Sequence, residues 1–346
     1  MILPAELLDE TYGADWGAIN LYISKSGNIN AVSGCGDYLI TMAAYNKNWG
    51  LVYYLVGHGA DINCRARDGG SVLSCAAVSE DPGVVRKVLE LGADIHIIGT
   101  YGLDIISSAV SKGNVDVVSV LIEYGIDVDA PNSRRYKVDP PLIGAVDDQN
   151  YEMVRALLAA GINTKCAGNR WSLSCAIAKQ DPLMISILIE GGFNLNFRKN
   201  DFLTGNTSAG RFDHPLIEAA KVHDLESARK LLDAGIKPDH AGNKDYKTPL
   251  HYAARYGQLD MVKLLIEYGA AISYDRSEKS QFKEYELPLA GAMLGDHVDV
   301  VSFLLLKGAN PKDLIQRDET SFTGVSFARA NKNEEIIKVI SMYSKG

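Results

Sequence analysis

The chain has 346 residues, of which 47% are hydrophobic and 23% are charged, and its formal net charge is -8. This composition is typical of a soluble globular protein and excludes disordered, collagen-like and membrane-embedded classes. The 32 glycines are more than such a chain needs. The length also corresponds to about 10.5 units of ~33 residues each, so a repeat array is favoured over two or three globular domains.

The cysteines and the N-terminus indicate the compartment. Five cysteines are dispersed through the chain without a CxxC pair: Cys35, Cys64, Cys75, Cys166 and Cys175. This pattern argues against a disulfide framework and predicts a reducing compartment. The segment MILPAELLDE is not typical of a secretory signal, and the apolar runs are too short to span a membrane. We therefore expect a cytoplasmic protein that does not contact a membrane.

A short motif that begins with glycine recurs along the chain. The strings GADIN at 59–63, GADIH at 92–96 and GIDVD at 125–129 are 33 residues apart, and a shortened form, GNIN, begins at Gly27. The series continues with GINTK at 161, GFNLN at 192, GIKPD at 235, GAAIS at 269 and GANPK at 308. Later intervals are longer, which indicates insertions. Nine such glycines and a final helix pair predict ten units.

Each of these glycines is predicted to close a helix. Residues seven, four and three positions before the glycine are apolar in every internal unit, as with Val52, Leu55 and Val56 before Gly59. This spacing forms one face of a helix, and glycine supplies its left-handed C-cap. A shorter helix is predicted upstream, as in SVLSCAA (71–77), HPLIEAA (214–220), TPLHYAA (248–254) and LPLAGAM (287–293).

The unit at 241–273, AGNKDYKTPLHYAARYGQLDMVKLLIEYGAAIS, resembles the ankyrin-repeat pattern, and in-register copies extend the resemblance over nearly the whole chain. The resemblance implies an all-α ankyrin-repeat solenoid of stacked helix–turn–helix units with β-hairpin-like finger loops. Only His251 fills the histidine of the TPLH motif, so stacking must support weaker units. We expect an N-terminal capping repeat at 1–30, ankyrin repeats at 31–317 with extended finger loops near 197–213 and 273–286, and a C-terminal capping repeat at 318–346.

Both ends of such an array need a cap, because a terminal unit has a neighbour on one side only. In the N-terminal cap, the side chains of Trp16, Ile19 and Ile23 are expected to cover the first full repeat. In the C-terminal cap, the inward-facing residues are expected to be Val325, Ala328, Ile336, Ile337 and Ile340. The sequence therefore predicts one elongated, capped domain.

No catalytic or metal-binding motif is found in the sequence. It contains no P-loop, HExxH, G-x-S-x-G or complete G-x-G-x-x-G motif, and the seven histidines have no partner at zinc-ligand spacing. His58 is interpreted as a helix-end histidine and His251 as a structural one. Asp147 and Asp148 are interpreted as a solvated turn, and Cys75 as an unactivated thiol. These residues predict a non-enzymatic protein without a cofactor or a bound metal.

The residue before the small alanine of each short helix differs between units. It is Met42, Cys75, Ser108, Gly144, Cys175, Glu218, Tyr252 or Gly291. In the ankyrin fold this column and the finger tips line the concave face, and arginine and aromatic residues, which are enriched at binding hot spots, recur in the predicted fingers. The predicted partner-binding residues are Arg65, Arg67, Tyr101, Arg134, Arg135, Tyr136, Arg170, Trp171, Arg198, Phe202, Tyr246, Tyr252, Arg255 and Tyr256.

The sequence thus predicts a protein–protein interaction module, monomeric on its own, that binds a partner protein through its concave face and finger loops. Two sharper versions stay open: an inhibitor of a toxin or another enzyme, such as the immunity protein of a bacterial toxin, and a secreted bacterial effector. Nucleic-acid binding is disfavoured, because phosphate affinity needs a basic footprint and the net charge is -8.

Overall fold

The structure is a computed structural model. It describes residues 17–97, 99, 104–129, 140–165, 169, 171–193, 195, 214–239, 247–273, 287–312, 314–317, 320–323, 326, 328–329 and 333–343. The described residues form two compact units, which we call unit 1 (up to Asn163) and unit 2 (from Thr164). Eighteen α-helices and one two-stranded hairpin are described.

Unit 1 consists of stacked helix pairs preceded by α1 (Gly17–Ser24). The first helices of the pairs are α2 (Leu39–Tyr45), α4 (Val72–Ala77), α6 (Ile105–Ser111) and α8 (Pro141–Asp147). The second helices are α3 (Trp49–Gly57), α5 (Pro82–Glu90), α7 (Val115–Glu123) and α9 (Tyr151–Ala159). The first helices pack on one another in series, and so do α5, α7 and α9. The unit therefore has two helical layers.

Unit 2 repeats this arrangement. Its first helices are α10 (Trp171–Ala178), α12 (Pro215–Val222), α14 (Pro249–Arg255) and α16 (Pro288–Leu294). Its second helices are α11 (Pro182–Glu190), α13 (Leu225–Asp233), α15 (Leu259–Glu267) and α17 (Val298–Leu306), and α17 packs against α18 (Glu334–Tyr343). An antiparallel hairpin of β1 (Leu314–Arg317) and β2 (Thr320–Thr323) lies between α17 and α18. The predicted boundary between repeats and C-terminal cap falls between these two strands.

In the second helix of each pair, from α3 to α17, the same two positions are completely buried. They lie seven and four residues before the glycine that follows the helix, and each is 0% exposed: Val52, Leu55, Val85, Val88, Val118, Leu121, Val154, Leu157, Ile185, Leu188, Ala228, Leu231, Val262, Leu265, Val301 and Leu304. Full burial of one such large apolar side chain contributes roughly 1.5–3 kcal/mol. The predicted apolar face is confirmed, and the all-α stack of helix pairs with it.

The turn after each second helix is closed by backbone hydrogen bonds at the glycine. The Gly59 amide donates to the Val56 carbonyl and the Ala60 amide donates to the Leu55 carbonyl, both at 3.0 Å. This pair of bonds requires a left-handed residue, and Gly59 has a φ of 90°. Positive φ angles occur at the seven equivalent glycines as well: Gly92, Gly125, Gly161, Gly192, Gly235, Gly269 and Gly308. The predicted left-handed caps are confirmed at these eight glycines. After α1 the prediction is wrong by one residue, because the left-handed residue is Ser26, with a φ of 60°, and not Gly27.

Polar side chains join one helix pair to the next. The Asn150 carboxamide accepts from the Met153 amide at 3.0 Å, which caps α9, and donates to the Gly113 carbonyl of the preceding pair at 3.2 Å. Asn63, the last residue of GADIN, donates to the Gly92 carbonyl at 3.2 Å and accepts from the Asp94 amide at 2.8 Å. Each bond satisfies a backbone group at a helix end that would otherwise need water.

The described cap residues that were expected to face inward are buried or half-buried. Ile19 is 0% exposed in α1 and Ile23 is half-buried, whereas Trp16 lies outside the described residues. At the other end, Ala328, Ile336 and Ile340 are buried and Ile337 is half-buried; Val325 is not among the described residues. The predicted extended fingers near 197–213 and 273–286 also lie outside them, apart from residue 273.

Two glycines of unit 1 test the role of the turns, because alanine should have opposite effects at them. At Gly125 an added methyl group meets nothing within 4 Å, but φ is +82°, so Gly125→Ala should lower the free energy of unfolding by about 1–2 kcal/mol. At Gly144, inside α8, the space is equally open and φ is not positive, so Gly144→Ala should raise it by about 0.5–1 kcal/mol. Urea titrations followed by circular dichroism measure both; effects of the same sign would contradict this account of the turns.

Candidate protein-binding surface

The first helices carry variable side chains beside their buried alanines and again one helical turn later. We call the surface made by these positions and the adjoining hairpin turns the first-helix face. In unit 1 it includes Met42, Tyr45, Arg65 and Arg67, and in unit 2 it includes Lys179, Glu218, Lys221, Tyr252, Arg255 and Tyr256. Each first helix packs on the second helix of its own pair. The face therefore has the rigid support that a recognition surface needs.

Hydrogen bonds hold the hairpin turns of unit 1. Arg65 pairs with Ser71 across the turn before α4, and the Arg65 guanidinium donates to the Gly69 carbonyl at 3.4 Å. The Arg67 amide donates to the Asp37 carboxylate of the preceding hairpin turn at 3.0 Å. Both arginines are exposed. The two side chains thus project from a backbone that is already fixed. Less conformational entropy is therefore lost when a partner binds them.

Tyr45 extends this surface from the end of α2, and it is not among the residues predicted from the sequence. The residue is 41% exposed, and its hydroxyl donates to Asp68 Oδ1 at 2.6 Å. Asp68 also accepts from the Gly70 amide at 2.8 Å, so the phenol is tied to the turn that carries Arg67. The signal that could have found Tyr45 is its position three residues after Met42, one helical turn along the same side.

In unit 2 the surface contains a compact group of charged and aromatic side chains. The Lys221 ammonium on α12 lies 3.6 Å from Glu218 Oε1 and 5.3 Å from the centre of the Tyr252 ring on α14. Glu218 is only 7% exposed, and a carboxylate this buried needs a nearby cation. The rings of Tyr252 and Tyr256 lie 6.3 Å apart, and Tyr256 is 50% exposed. Lys221 and Glu218 belong to this group although they are not among the predicted binding residues.

The predicted partner-binding residues differ in where they lie. Arg65, Arg67, Arg255 and Tyr256 are exposed, and Tyr252 is half-buried. The others lie outside the described residues, except Trp171: Tyr101, Arg134, Arg135, Tyr136, Arg170, Arg198, Phe202 and Tyr246. The structure brings Tyr252, Arg255 and Tyr256 together on α14 and its C-terminus, and Arg65 and Arg67 in one turn.

Trp171 is not on the surface, so the structure does not support its prediction as a binding anchor. It begins α10 and is only 3% exposed. The corresponding position of other first helices is enclosed as well, since Ser71, His214 and Thr248 are 1%, 3% and 2% exposed. An indole at this position packs inside the unit and stabilises the start of the helix rather than contacting a partner.

The histidines and carboxylates that could have suggested chemistry have structural roles. His251 is 0% exposed and its Nδ1 lies 3.4 Å from the Leu287 carbonyl oxygen at the start of α16. Asp147, the last residue of α8, and Asp148, which follows it, are both exposed. Among the described residues, no group of three His, Cys, Asp or Glu side chains could hold a metal ion. No described helix is long and apolar enough to cross a membrane.

Buried cysteines are poor nucleophiles in this protein. Burial raises the pKa of the Cys75 thiol to about 12; a hydrogen bond with Ser74 acts against this and the charge of Asp68 adds to it. Burial and the nearby Asp61 carboxylate raise the pKa of Cys64 to about 11. Because thiolate is the reactive form, these two residues are inert near neutral pH. The raised pKa of Cys75 agrees with its interpretation as an unactivated thiol.

Comparison with known protein families agrees with the repeat pattern. A family model described as ankyrin repeats matches three times, at residues 40–132, 173–276 and 216–315, which together make up more than half of the chain.

Individual relatives are similar over short segments. Mouse ankyrin repeat and SOCS box protein 14 is 32% identical over 100 residues, 29% of this chain and 16% of that protein. Bovine ankyrin repeat and SOCS box protein 2 is 35% identical over 97 residues, 28% of this chain and 14% of that protein. The glycerophosphocholine phosphodiesterase GDE1 of Candida albicans is 31% identical over 136 residues, 39% of this chain and 10% of that protein. The chain therefore matches only 10% to 16% of the length of these relatives.

Thiol alkylation should distinguish the exposed cysteine from the buried ones. Iodoacetamide applied to the native protein at mildly alkaline pH should modify Cys35, which is exposed, much faster than Cys64 and Cys75, because the latter carry almost no thiolate. Peptide mass spectrometry over time measures each rate separately. Denatured protein is the control and should lose the difference. Equal alkylation rates at Cys35 and Cys75 in the native protein would contradict the burial of Cys75.

Proposed function

The chain belongs to the ankyrin-repeat family, and on that premise we propose that it binds a partner protein through the first-helix face. Ankyrin repeats generally mediate protein–protein interaction, and the family is generally non-enzymatic. The observation that carries the proposal is the set of exposed arginine and tyrosine side chains that this face presents in both units, with Arg67 in unit 1 and Tyr256 in unit 2.

These side chain types suit a binding surface. Arginine and tyrosine are enriched at hot spots, because they combine a large contact area with directional hydrogen bonding. Tyr256 exposes half of its surface beside Tyr252, and Arg67 projects from a turn fixed by the bond to Asp37. Anchors on a preformed backbone need less ordering at the moment of contact than anchors on a free loop.

The second helices offer a less suitable surface, since several of their charged side chains are paired with one another. Arg86 on α5 donates two hydrogen bonds to Glu123 on α7, at 2.9 and 2.7 Å. On α13, Lys230 lies 3.0 Å from Glu226. Exposed pairs of this kind contribute little to stability. A partner that bound there would nevertheless have to replace them.

The residues predicted from the sequence in the remaining fingers, Arg134, Arg135, Tyr136 and Arg198 among them, are part of the same proposal. Their prediction rests on the sequence alone. The sharper roles, an inhibitor of a toxin or enzyme and a secreted bacterial effector, also stay predictions from the sequence.

Substitutions on the first-helix face should remove partner binding. Arg67→Glu and Tyr256→Ala, made separately, should each reduce the amount of specific partner captured from an extract of the source cells about tenfold or more, as expected for loss of an anchor. Quantitative mass spectrometry of immobilised full-length protein identifies the partner, and calorimetry with the purified partner then gives the change in affinity.

Each variant has a matched control in the same unit. Arg155→Glu reverses an exposed arginine on α9, and Tyr343→Ala removes a 43% exposed tyrosine at the end of α18. Both controls should bind like the unchanged protein. If Arg67→Glu and Tyr256→Ala keep full affinity for the captured partner, or if the controls lose it instead, the proposed surface is wrong.

A further inference from the structure

We propose that the unit-2 part of the first-helix face recognises an acidic, extended segment of the partner protein. This inference rests on the proposed function and adds the chemistry of the recognised segment. It depends on two features of this part of the face: an excess of cationic side chains among the described residues, and two tyrosine rings on α14 whose repeat equivalents on α16 are glycines.

The cationic side chains lie at the C-terminal ends of successive first helices. Lys221 on α12 and Arg255 on α14 occupy equivalent positions, three residues after Glu218 and Tyr252, and Lys179 follows the end of α10. Among the described residues of this face, Glu218 is the carboxylate that opposes them, and it is 7% exposed beside Lys221. A helix C-terminus also carries partial negative charge, which favours these cations there. Among the described side chains of this patch, the accessible charge is therefore positive, on a chain whose net charge is -8.

The glycines allow α16 to pack directly on the backbone of α14. A methyl group added to Gly291 would lie 2.9 Å from the His251 carbonyl oxygen, and one added to Gly295 would overlap the Arg255 carbonyl oxygen. Gly291 and Gly295 are the repeat equivalents of Tyr252 and Tyr256, each 39 residues earlier. The α14 backbone therefore fills the space at both glycines, and α16 presents no side chain at these two positions. The apolar contact area in this part of the face comes instead from the Tyr252 and Tyr256 rings of α14.

These features together fit a carboxylate-bearing extended chain. Guanidinium binds carboxylate through two parallel hydrogen bonds, and the Lys221 ammonium adds a second cation above the Tyr252 ring. Contacting helices lie roughly 8–10 Å apart, so an extended segment of about six residues would cross from α12 to α16. The tyrosine rings would pack against its apolar atoms while the carboxylates meet Lys221 and Arg255.

A polyanion such as RNA fits the patch less well. Binding that depends on phosphates grows with the number of cations that neutralise them, and this face has three cationic side chains in unit 2 among its described residues. The remaining surface carries excess negative charge, which repels a long polyanion more than it repels a short acidic segment with few charges.

The test is a selection of random peptides of about twelve residues, which reach at most ~40 Å when extended, displayed on phage against the immobilised full-length protein. The same library is selected in parallel against Arg255→Glu and against Lys221→Met with Arg255→Glu. The expected result is enrichment of peptides with clustered Asp and Glu. Synthetic versions should bind more than about tenfold more weakly to both variants, and to the unchanged protein when Asp and Glu are replaced by Asn and Gln.

The matched control is Arg229→Glu with Lys263→Glu, two exposed cations on the second helices α13 and α15 of the same unit. It should bind the acidic peptides normally, and thermal melts should show that all variants fold. Four results would each overturn the acidic-segment proposal. Two concern the selection: enriched peptides that lack acidic residues, or no enriched peptide at all. The other two concern binding: an equal loss of peptide affinity in the control variant, or Arg255-dependent binding of single-stranded RNA that is tighter than binding of the peptides. The proposed function would still stand if Tyr256→Ala loses the captured partner, so the two failures are distinguishable.

Discussion

In each helix pair, the second helix buries two apolar side chains, and the rest of the structure depends on this burial. In α7, for example, Val118 and Leu121 are completely buried. A single helix pair has no core of its own, so these side chains lose their water only when neighbouring pairs stack on it. The turn glycine ends each second helix at the right point, and Asn63 and Asn150 satisfy backbone groups of adjacent pairs. Stability is thus divided among many equivalent contacts.

Because the stack itself supplies stability, the outward positions of the first helices are free to differ. Met42, Ser108, Gly144 and Tyr252 occupy the same column, and all four are only partly buried. Not every residue of this column is accessible to a partner, since Cys175 is 1% exposed and Glu218 is 7% exposed. The proposed binding surface therefore consists of selected first-helix positions and the hairpin turns beside them. It offers Tyr45, Arg65 and Arg67 in unit 1, and Tyr252, Arg255 and Tyr256 in unit 2.

The sequence alone predicted the helix pairs and their turns, because these depend on residues close together in the chain. The spacing of Val52, Leu55 and Gly59 is enough to define a helix, its buried face and its end. The sequence alone could not predict the contacts between one helix pair and the next. The burial of Trp171 depends on enclosure by the stack. The position of Lys221 between Glu218 and Tyr252 depends on Tyr252, which is more than thirty residues away in sequence. Aromatic and arginine content indicated candidates, but exposure decides which of them can bind.

The central claim is that a partner protein covers the first-helix face, and side-chain footprinting of the complex tests it most directly. Hydroxyl radicals modify exposed tyrosines, and the extent of modification at each can be compared with and without the bound partner. The account predicts strong protection of Tyr45 and Tyr256, which are 41% and 50% exposed, and unchanged labelling of Tyr124 and Tyr343, which are 37% and 43% exposed on second-helix and terminal surfaces. Protection of Tyr124 or Tyr343 with continued labelling of Tyr45 and Tyr256 would contradict it.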